Sequence, residues 1–294
     1  MSSASGNPAG TDGAPLTKGQ RAAKLLSAFQ DCADLAASMG WQGGAIVRNG
    51  RLLIEQDGGL FHPDPRYFRT GGLGIARPMR LMLEQRSLPV RTVFDVGANL
   101  GEVAIGFALN YPSARVFAFE PAPENLEVLD ANVALQPKRL RNLTVVREAM
   151  SDRPGEIEMT LGAGDLNTVM LDDNLERLAE RRAFHVARVP TDTLESYCDR
   201  LDVQAIDFLK IDIEGAEPLL SPSIRALAGR IGSAFVEVSR YGSLDAYVEM
   251  VDAFAAGGLV MEFRNQGPIA DPRRFLEVQL ERFMAQNIWF LPRR

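Results

Sequence analysis

From Arg91 onward the chain alternates strand-like and helix-like stretches, and this alternation limits the possible folds more than any other feature. TVFDV is followed by a helical stretch to about Asn110, and RVFAFE by one through Val133. After LTVVREAM come DFLKIDI and SAFVEVS, each with its own helix. Strands alternating with helices build βαβ units, and these assemble into a mostly parallel sheet covered on both faces. The expected class is therefore α/β, with a doubly wound, mostly parallel sheet. Two stretches depart from the pattern. GLVMEF and NIWFLP, separated by over twenty residues with two prolines, are read as a closing antiparallel pair. Between Gly155 and Thr191, EIEMTL and FHVARVP are read as an inserted β element.

The residues ahead of this pattern carry no chemical motif. The first stretch is rich in Ser, Gly, Pro and Ala and lacks both a basic start and an apolar core, so it reads as a flexible tail over 1–19 and not as a signal peptide. Apolar residues recur at three- and four-residue spacing from Arg21 to about Met39, which predicts an amphipathic helix. Asn49-Gly50 between two apolar runs predicts a hairpin, because a type I′ turn needs positive φ at both positions. A second helix is expected from Ile75 to Gln85. The division is thus a helix/hairpin cap over 20–90 and a larger domain over 91–294.

Composition narrows the partners. With 46% hydrophobic and 24% charged residues the chain reads as an ordinary soluble globular protein. A net charge of -6 provides no general attraction for nucleic acid or anionic lipid. Cys32 and Cys198 lie far apart and suit a reducing compartment, and the only histidines are His62 and His185, which argues against a structural zinc site. No apolar run approaches the 18 or so residues of a membrane span, so the cytoplasm is the default location.

The chemistry is expected at FDVGANLG, where a strand ends at Asp95 and Val96, Gly97 turns the chain, and a helix starts near Gly101. Glycine lets backbone approach a ligand closely, and free N–H groups at a helix start favour electronegative atoms. A dinucleotide fingerprint would read G-x-G-x-x-G, whereas here Asn99 replaces the second glycine and Asp95 precedes the first by two residues. A carboxylate at this strand tip would repel a pyrophosphate but suits S-adenosylmethionine, which carries a sulfonium and an ammonium and no phosphate. Glu120, about 19 residues beyond Gly101, ends the next strand where doubly wound folds accept ribose hydroxyls, a geometry that dehydrogenases share. LKIDIEGAE ends a later strand at the expected ligand crevice. One reading is an ionic cluster of Lys210 with Asp212 or Glu214, with Glu217 easing a helix start. The other has Asp212, Glu214 or Lys210 assisting deprotonation of an acceptor hydroxyl, directly or through a divalent metal, with Asp212 preferred and Glu214, Glu237 or His185 as fallbacks.

Taken in order, FDVGANLG, FAFEPAPENLEVLDAN, EAMSD followed by Gly155, DTLESYC and FLKIDIEGAE resemble the FkbM-type S-adenosylmethionine-dependent methyltransferases. The resemblance covers about Val93 to Val238 and implies a seven-stranded, Rossmann-like class I methyltransferase domain. It further implies that Asp95, Gly97, Asn99 and Gly101 line the cofactor, with Glu120 on its ribose and Ser151 and Asp152 near the adenine end. The implied reaction is O-methylation of a sugar, glycan or polyketide-like hydroxyl. Rival readings are a dinucleotide-dependent oxidoreductase and a cofactor-binding interaction protein without turnover. Of the other candidates, Asp64 to Tyr67 (DPRY) reads as a turn, His185 as structural, and the run LERLAERR as a solvated helix face.

Overall fold

The computed structural model describes residues 44–48, 51–64, 67, 74–136, 138, 140–161 and 185–293. The tail, the helix expected over Arg21–Met39, the two turn residues Asn49 and Gly50, and the run LERLAERR lie outside them.

Strands β1 (Gly44–Arg48), β2 (Arg51–Gln56) and β3 (Gly59–Phe61) form a small antiparallel sheet. Arg48 pairs with Arg51, so the expected hairpin is present around Asn49-Gly50. Helix α1 (Ala76–Gln85) follows where a helix was expected and buries Met79 and Leu83, four residues apart on one face.

Next come β4 (Thr92–Val96), α2 (Glu102–Asn110), β5 (Arg115–Phe119), α3 (Pro123–Leu135) and β6 (Leu143–Val146). The inserted element is a second three-stranded sheet of β7 (Ala149–Met150), β8 (Gly155–Leu161) and β9 (His185–Asp192). As expected for EIEMTL and FHVARVP, β8 and β9 pair antiparallel, from Gly155 opposite Thr191 to Leu161 opposite His185. Helix α4 (Leu194–Arg200) is capped by the Thr193 side chain, which accepts from the Ser196 N–H. It leads to β10 (Phe208–Ile211), a 3₁₀ turn over Glu217–Leu220, α5 (Ser221–Ala226) and β11 (Ala234–Ser239). The remaining elements are α6 (Leu244–Ala256), β12 (Leu259–Glu262), α7 (Pro272–Arg282) and β13 (Ala285–Pro292).

The main sheet has the order β12-β13-β11-β10-β4-β5-β6, and every strand but β13 runs the same way. It is the doubly wound, mostly parallel seven-stranded sheet that was expected. The expected antiparallel pair is β12 with β13, and β13 lies between β12 and β11. Strand order reverses between β4 and β10, and an open α/β sheet holds its ligand at the carboxyl ends of the strands flanking that point.

Both faces of the sheet are covered. Phe94, Val96, Leu209, Ile211 and Val236 pack against Tyr197, Ile224, Met250 and Phe254 on α4 to α6. Val93, Phe208, Phe235 and Trp289 pack on the other face against Met79 and Phe107. Burying one such side chain contributes about 1.5–3 kcal/mol. Double burial makes the central strands continuously apolar, and the exceptions stand out. Asp95, Lys210 and Glu237 share the parity of Val93, Phe208 and Phe235 and so lie on the face of α1 and α2.

The small N-terminal sheet docks on α3. Gln136 accepts from the Leu60 N–H at 3.1 Å and donates to the Leu60 carbonyl at 2.7 Å. Asn132 accepts from the His62 N–H at 2.8 Å, and its Nδ2 donates to Tyr67 Oη at 2.7 Å and to the Leu100 carbonyl at 2.9 Å. Asp64 and Tyr67 form the expected turn, with the Tyr67 N–H on the Asp64 carbonyl. No helix among the described residues is long and apolar enough to cross a membrane.

Candidate active site

The loop from β4 to α2 is held from three sides. Gly97 has φ +79°, and a Cβ there would stand 1.8 Å from the Asp212 carbonyl oxygen, so the close passage of the two strand ends requires glycine. The N–H groups of Gly97 and Ala98 both donate to the Phe119 carbonyl at the end of β5, at 3.0 and 2.9 Å. Asn99, itself at φ +49°, donates its N–H to Glu120 Oε2 at 2.8 Å. The other Glu120 oxygen accepts from the Ala122 N–H at 2.9 Å and from Asn125 Nδ2 at 3.2 Å. A carboxylate offers about four lone-pair sites, so these bonds leave Glu120 roughly one for a ligand. Asn99 Oδ1 is buried and has no hydrogen-bond partner among the described residues.

Strand register explains the charges beside the loop. β10 pairs with β4 so that Lys210 lies opposite Asp95, on the same face. Lys210 Nζ donates to the Gly97 carbonyl at 2.7 Å and stands 3.4 Å from Asp95 Oδ1 and 3.3 Å from Asp212 Oδ2. The ammonium thus hydrogen-bonds the loop and is ion-paired between two carboxylates, while Asp95 Oδ1 itself accepts no hydrogen bond among the described residues. Burial disfavours the charge, but Asp212 and Asp95 outweigh it and hold the lysine protonated, above its ordinary range. The other Asp95 oxygen accepts from the Ala104 N–H at 3.0 Å, which fixes the first turn of α2.

Beyond Lys210 the wall is acidic. Oxygens of Asp212, Glu214 and Glu237 all lie within 4.8 Å of one another, the one such group of metal-type donors among the described residues. A hard divalent cation accepts oxygens of this kind. Glu237 is pushed up to about 10 by burial, and after that by Asp212, Glu214 and Glu217, because neighbouring carboxylates cannot all ionise. Glu217 behind them is pushed up to about 7 by burial, against the lowering effect of its backbone hydrogen bonds.

A cavity of about 340 Å³ joins these parts, within the range of small-molecule sites. Gly97, Asn99 and Glu120 line one part, and Lys210, Asp212, Glu214 and Glu237 another. Four of the residues singled out from the sequence stand behind the lining. Asp95 lies under the loop, Gly101 starts α2 with its Cβ position against Leu129, and the buried Ser151 hydrogen-bonds Asp152 just past Met150. Glu148, Ala149 and Met150 line the cavity in place of Ser151 and Asp152. His185 opens β9, and its side chain lies outside the described ones.

Glu237, which the sequence offered only as a fallback for the catalytic role, lines the cavity. Sequence reading had not placed Glu102, Tyr67 or Ile75 at the site, yet all three line it. Glu102 accepts from the N–H groups of Gly74 and Ala76 at 3.1 and 3.2 Å, tying the start of α1 to the loop. Burial pushes its carboxyl up to about 8. Nothing in the local sequence announces that contact.

Comparison with known proteins gives the chain's relatives. Among relatives, the 2-O-methyltransferase NoeI of Sinorhizobium fredii is 29% identical over 164 residues, covering 50% of this chain and 62% of its own. The methyltransferase sdnD of Sordaria araneosa is 26% identical over 148 residues, covering 42% of this chain and 57% of its own. The chain thus spans about three fifths of the length of these relatives. Among solved structures, the methyltransferase FkbM from Methylobacillus flagellatus shares 15% identity with a TM-score of 0.43, over 68% of this chain and 43% of that one. The profile of the methyltransferase FkbM domain matches residues 95–242, half of the chain, from the acid under the glycine loop to just past β11. The chain belongs to the FkbM methyltransferase domain family.

Proposed function

We propose that this protein is an S-adenosylmethionine-dependent O-methyltransferase acting on a hydroxyl of a sugar, glycan or polyketide-like small molecule. The observation that carries the proposal is the acidic, cation-poor lining of the cavity. Of the described residues lining it, six are acidic (Glu102, Glu120, Glu148, Asp212, Glu214 and Glu237), of which burial keeps Glu102 and Glu237 protonated at neutral pH, and the one cation, Lys210, is already engaged. The pyrophosphate of a dinucleotide would find no free cation among these residues, whereas S-adenosylmethionine brings two cationic groups and no phosphate. The cofactor supplies a methyl group made electrophilic by the sulfonium.

The residues present suit such a ligand. Asn99 Oδ1 offers a buried acceptor without a partner, and Glu120 keeps about one site for a ribose hydroxyl. Gly97 lets the backbone come close, with Asp95 and Gly101 shaping the loop from beneath. Met150 and its neighbours flank the adenine end, with Ser151 and Asp152 supporting them. At the acceptor end Asp212 or Glu214 accepts the hydroxyl proton, while Lys210 stands beside Asp212 as a fixed charge and holds the loop to β10. Positioning of the two reactants supplies most of the rate. In this reading the domain begins near 91, and the residues before it cover the cavity through Tyr67 and Ile75.

That one relative, NoeI, is named a 2-O-methyltransferase supports oxygen as the acceptor. The test is incubation of the pure protein with methyl-labelled cofactor and separate pools of glycans and hydroxylated small molecules. Label in an alkali-stable methyl ether supports the proposal. Binding of cofactor without transfer to any pool points to an interaction protein, and label on amines or nucleic acid overturns the acceptor class.

A further inference from the structure

The turn that carries Glu214 is strained and needs an external hold. Glu214 has φ +59° and Gly215 φ +99°, and a left-handed residue other than glycine is unfavourable. A Cβ on Gly215 would stand 2.5 Å from Tyr241 Cβ, so the turn is also closely packed. Glu217, fully buried and outside the cavity lining, supplies the hold. Its Oε1 accepts from the Ile213 N–H at 2.8 Å and the Gly215 N–H at 3.1 Å. Its Oε2 accepts from the same Gly215 N–H at 3.0 Å and from the Tyr247 hydroxyl at 2.8 Å. That hydroxyl in turn accepts from the Ser239 N–H at 3.0 Å, two residues past Glu237 on β11. The Tyr247 ring has no slack, since a Cβ on Gly242 would stand 2.6 Å from it. One hydrogen-bonded chain therefore links the ends of β10 and β11, the two strands whose carboxylates form the acidic wall.

We propose that Glu217, with Tyr247, is the positioning device of the acceptor end, fixing the turn that presents Glu214 and holding it in register with Glu237. The proposal rests on the methyl-transfer reading and deepens it by naming a pair outside the cavity on which turnover depends. Glu217 acts through Glu214, so its removal costs turnover while leaving cofactor affinity alone.

The test compares Glu217→Gln, Tyr247→Phe, Glu214→Gln and the double variant Glu214→Gln with Glu217→Gln, using the full chain. Turnover, acceptor KM, cofactor Kd and the melting temperature are measured for each. Glu217→Gln should lower turnover by roughly 10- to 100-fold, Tyr247→Phe by roughly three- to tenfold, and cofactor Kd should stay within about twofold. The double variant should be no worse than the poorer single variant by more than about threefold, because residues acting as one unit are not additive. Multiplying losses, a parallel fall in cofactor affinity, or unchanged turnover in Glu217→Gln would each overturn the proposal. Should Glu217→Gln fail to fold, Tyr247→Phe decides, and unchanged turnover there counts against the device. Should the wild type methylate no acceptor, the methyl-transfer reading fails separately. The device is then judged by amide exchange, where faster exchange confined to Ile213 and Gly215 in the variants upholds it and unchanged protection overturns it.

Discussion

Replacing Glu237 by Gln should stabilise the fold, and increasingly so as the pH rises. The folded carboxyl is pushed up to about 10, first by burial and then by Asp212 and Glu214, against 4.5 for the free group. Between those values the folded protein keeps a proton that the unfolded chain has released. The sign follows directly: the contribution of this group is fully present below 4.5 and falls by roughly 1.4 kcal/mol per pH unit until the folded value is reached. Relative to strongly acidic solution the loss is under about 1 kcal/mol at pH 5 and approaches roughly 5 kcal/mol at pH 8, a ceiling that water entering the cavity lowers. Gln has nearly the same shape and no titration, so any fixed cost of burying its amide is the same at both pH values. Urea unfolding of wild type and variant at pH 5 and pH 8, with a chelator present, isolates the difference. The variant should gain at least about 2 kcal/mol on the wild type between the two pH values. An equal difference at both, or a variant that loses ground at pH 8, would refute the raised Glu237 carboxyl that burial and the neighbouring acids produce.

Asp212→Asn should lower turnover by roughly 10²–10⁴-fold with cofactor binding kept, since it removes charge but little shape. Adding and then chelating magnesium separates direct proton transfer from a metal-assisted route, and near-normal turnover moves the role to Glu214. Glu120→Ala should weaken cofactor binding at least about tenfold by calorimetry, because it removes a ligand contact and also frees the Asn99 and Ala122 N–H groups that shape the loop. Gly97→Ala drives a Cβ into the Asp212 carbonyl and should cost roughly 2–4 kcal/mol in denaturant unfolding, with cofactor binding lost even where the fold survives. An Ala variant as stable as the wild type would mean that the two strand ends do not approach as described.

The layered fold was legible because its signals are local. Period and turn chemistry located β4 to β6, β8 with β9, the hairpin around Asn49-Gly50 and α1 from a few residues each. FDVGANLG likewise marked the loop, since positive φ at Gly97 and Asn99 is written into the residue types. What stayed illegible depends on register between distant segments. That β13 enters between β11 and β12, and that Lys210 meets Asp95, follow from pairings between segments 46–56 and 115 residues apart. Glu237 could be read only as a fallback candidate for the same reason: it meets Asp212 and Glu214 only once β11 is laid beside β10. Ser151 and Asp152 were near misses, because the turn after β7 buries Ser151 and leaves Met150 on the cavity.

The most direct test is calorimetric titration of the pure protein with S-adenosylmethionine, S-adenosylhomocysteine and NAD in turn. A cavity lined by six acidic residues and one engaged lysine should bind both methionine-derived ligands at a single site and show no heat with NAD. Tight binding of NAD, with neither methionine derivative bound, would contradict the charge argument and with it the proposed activity.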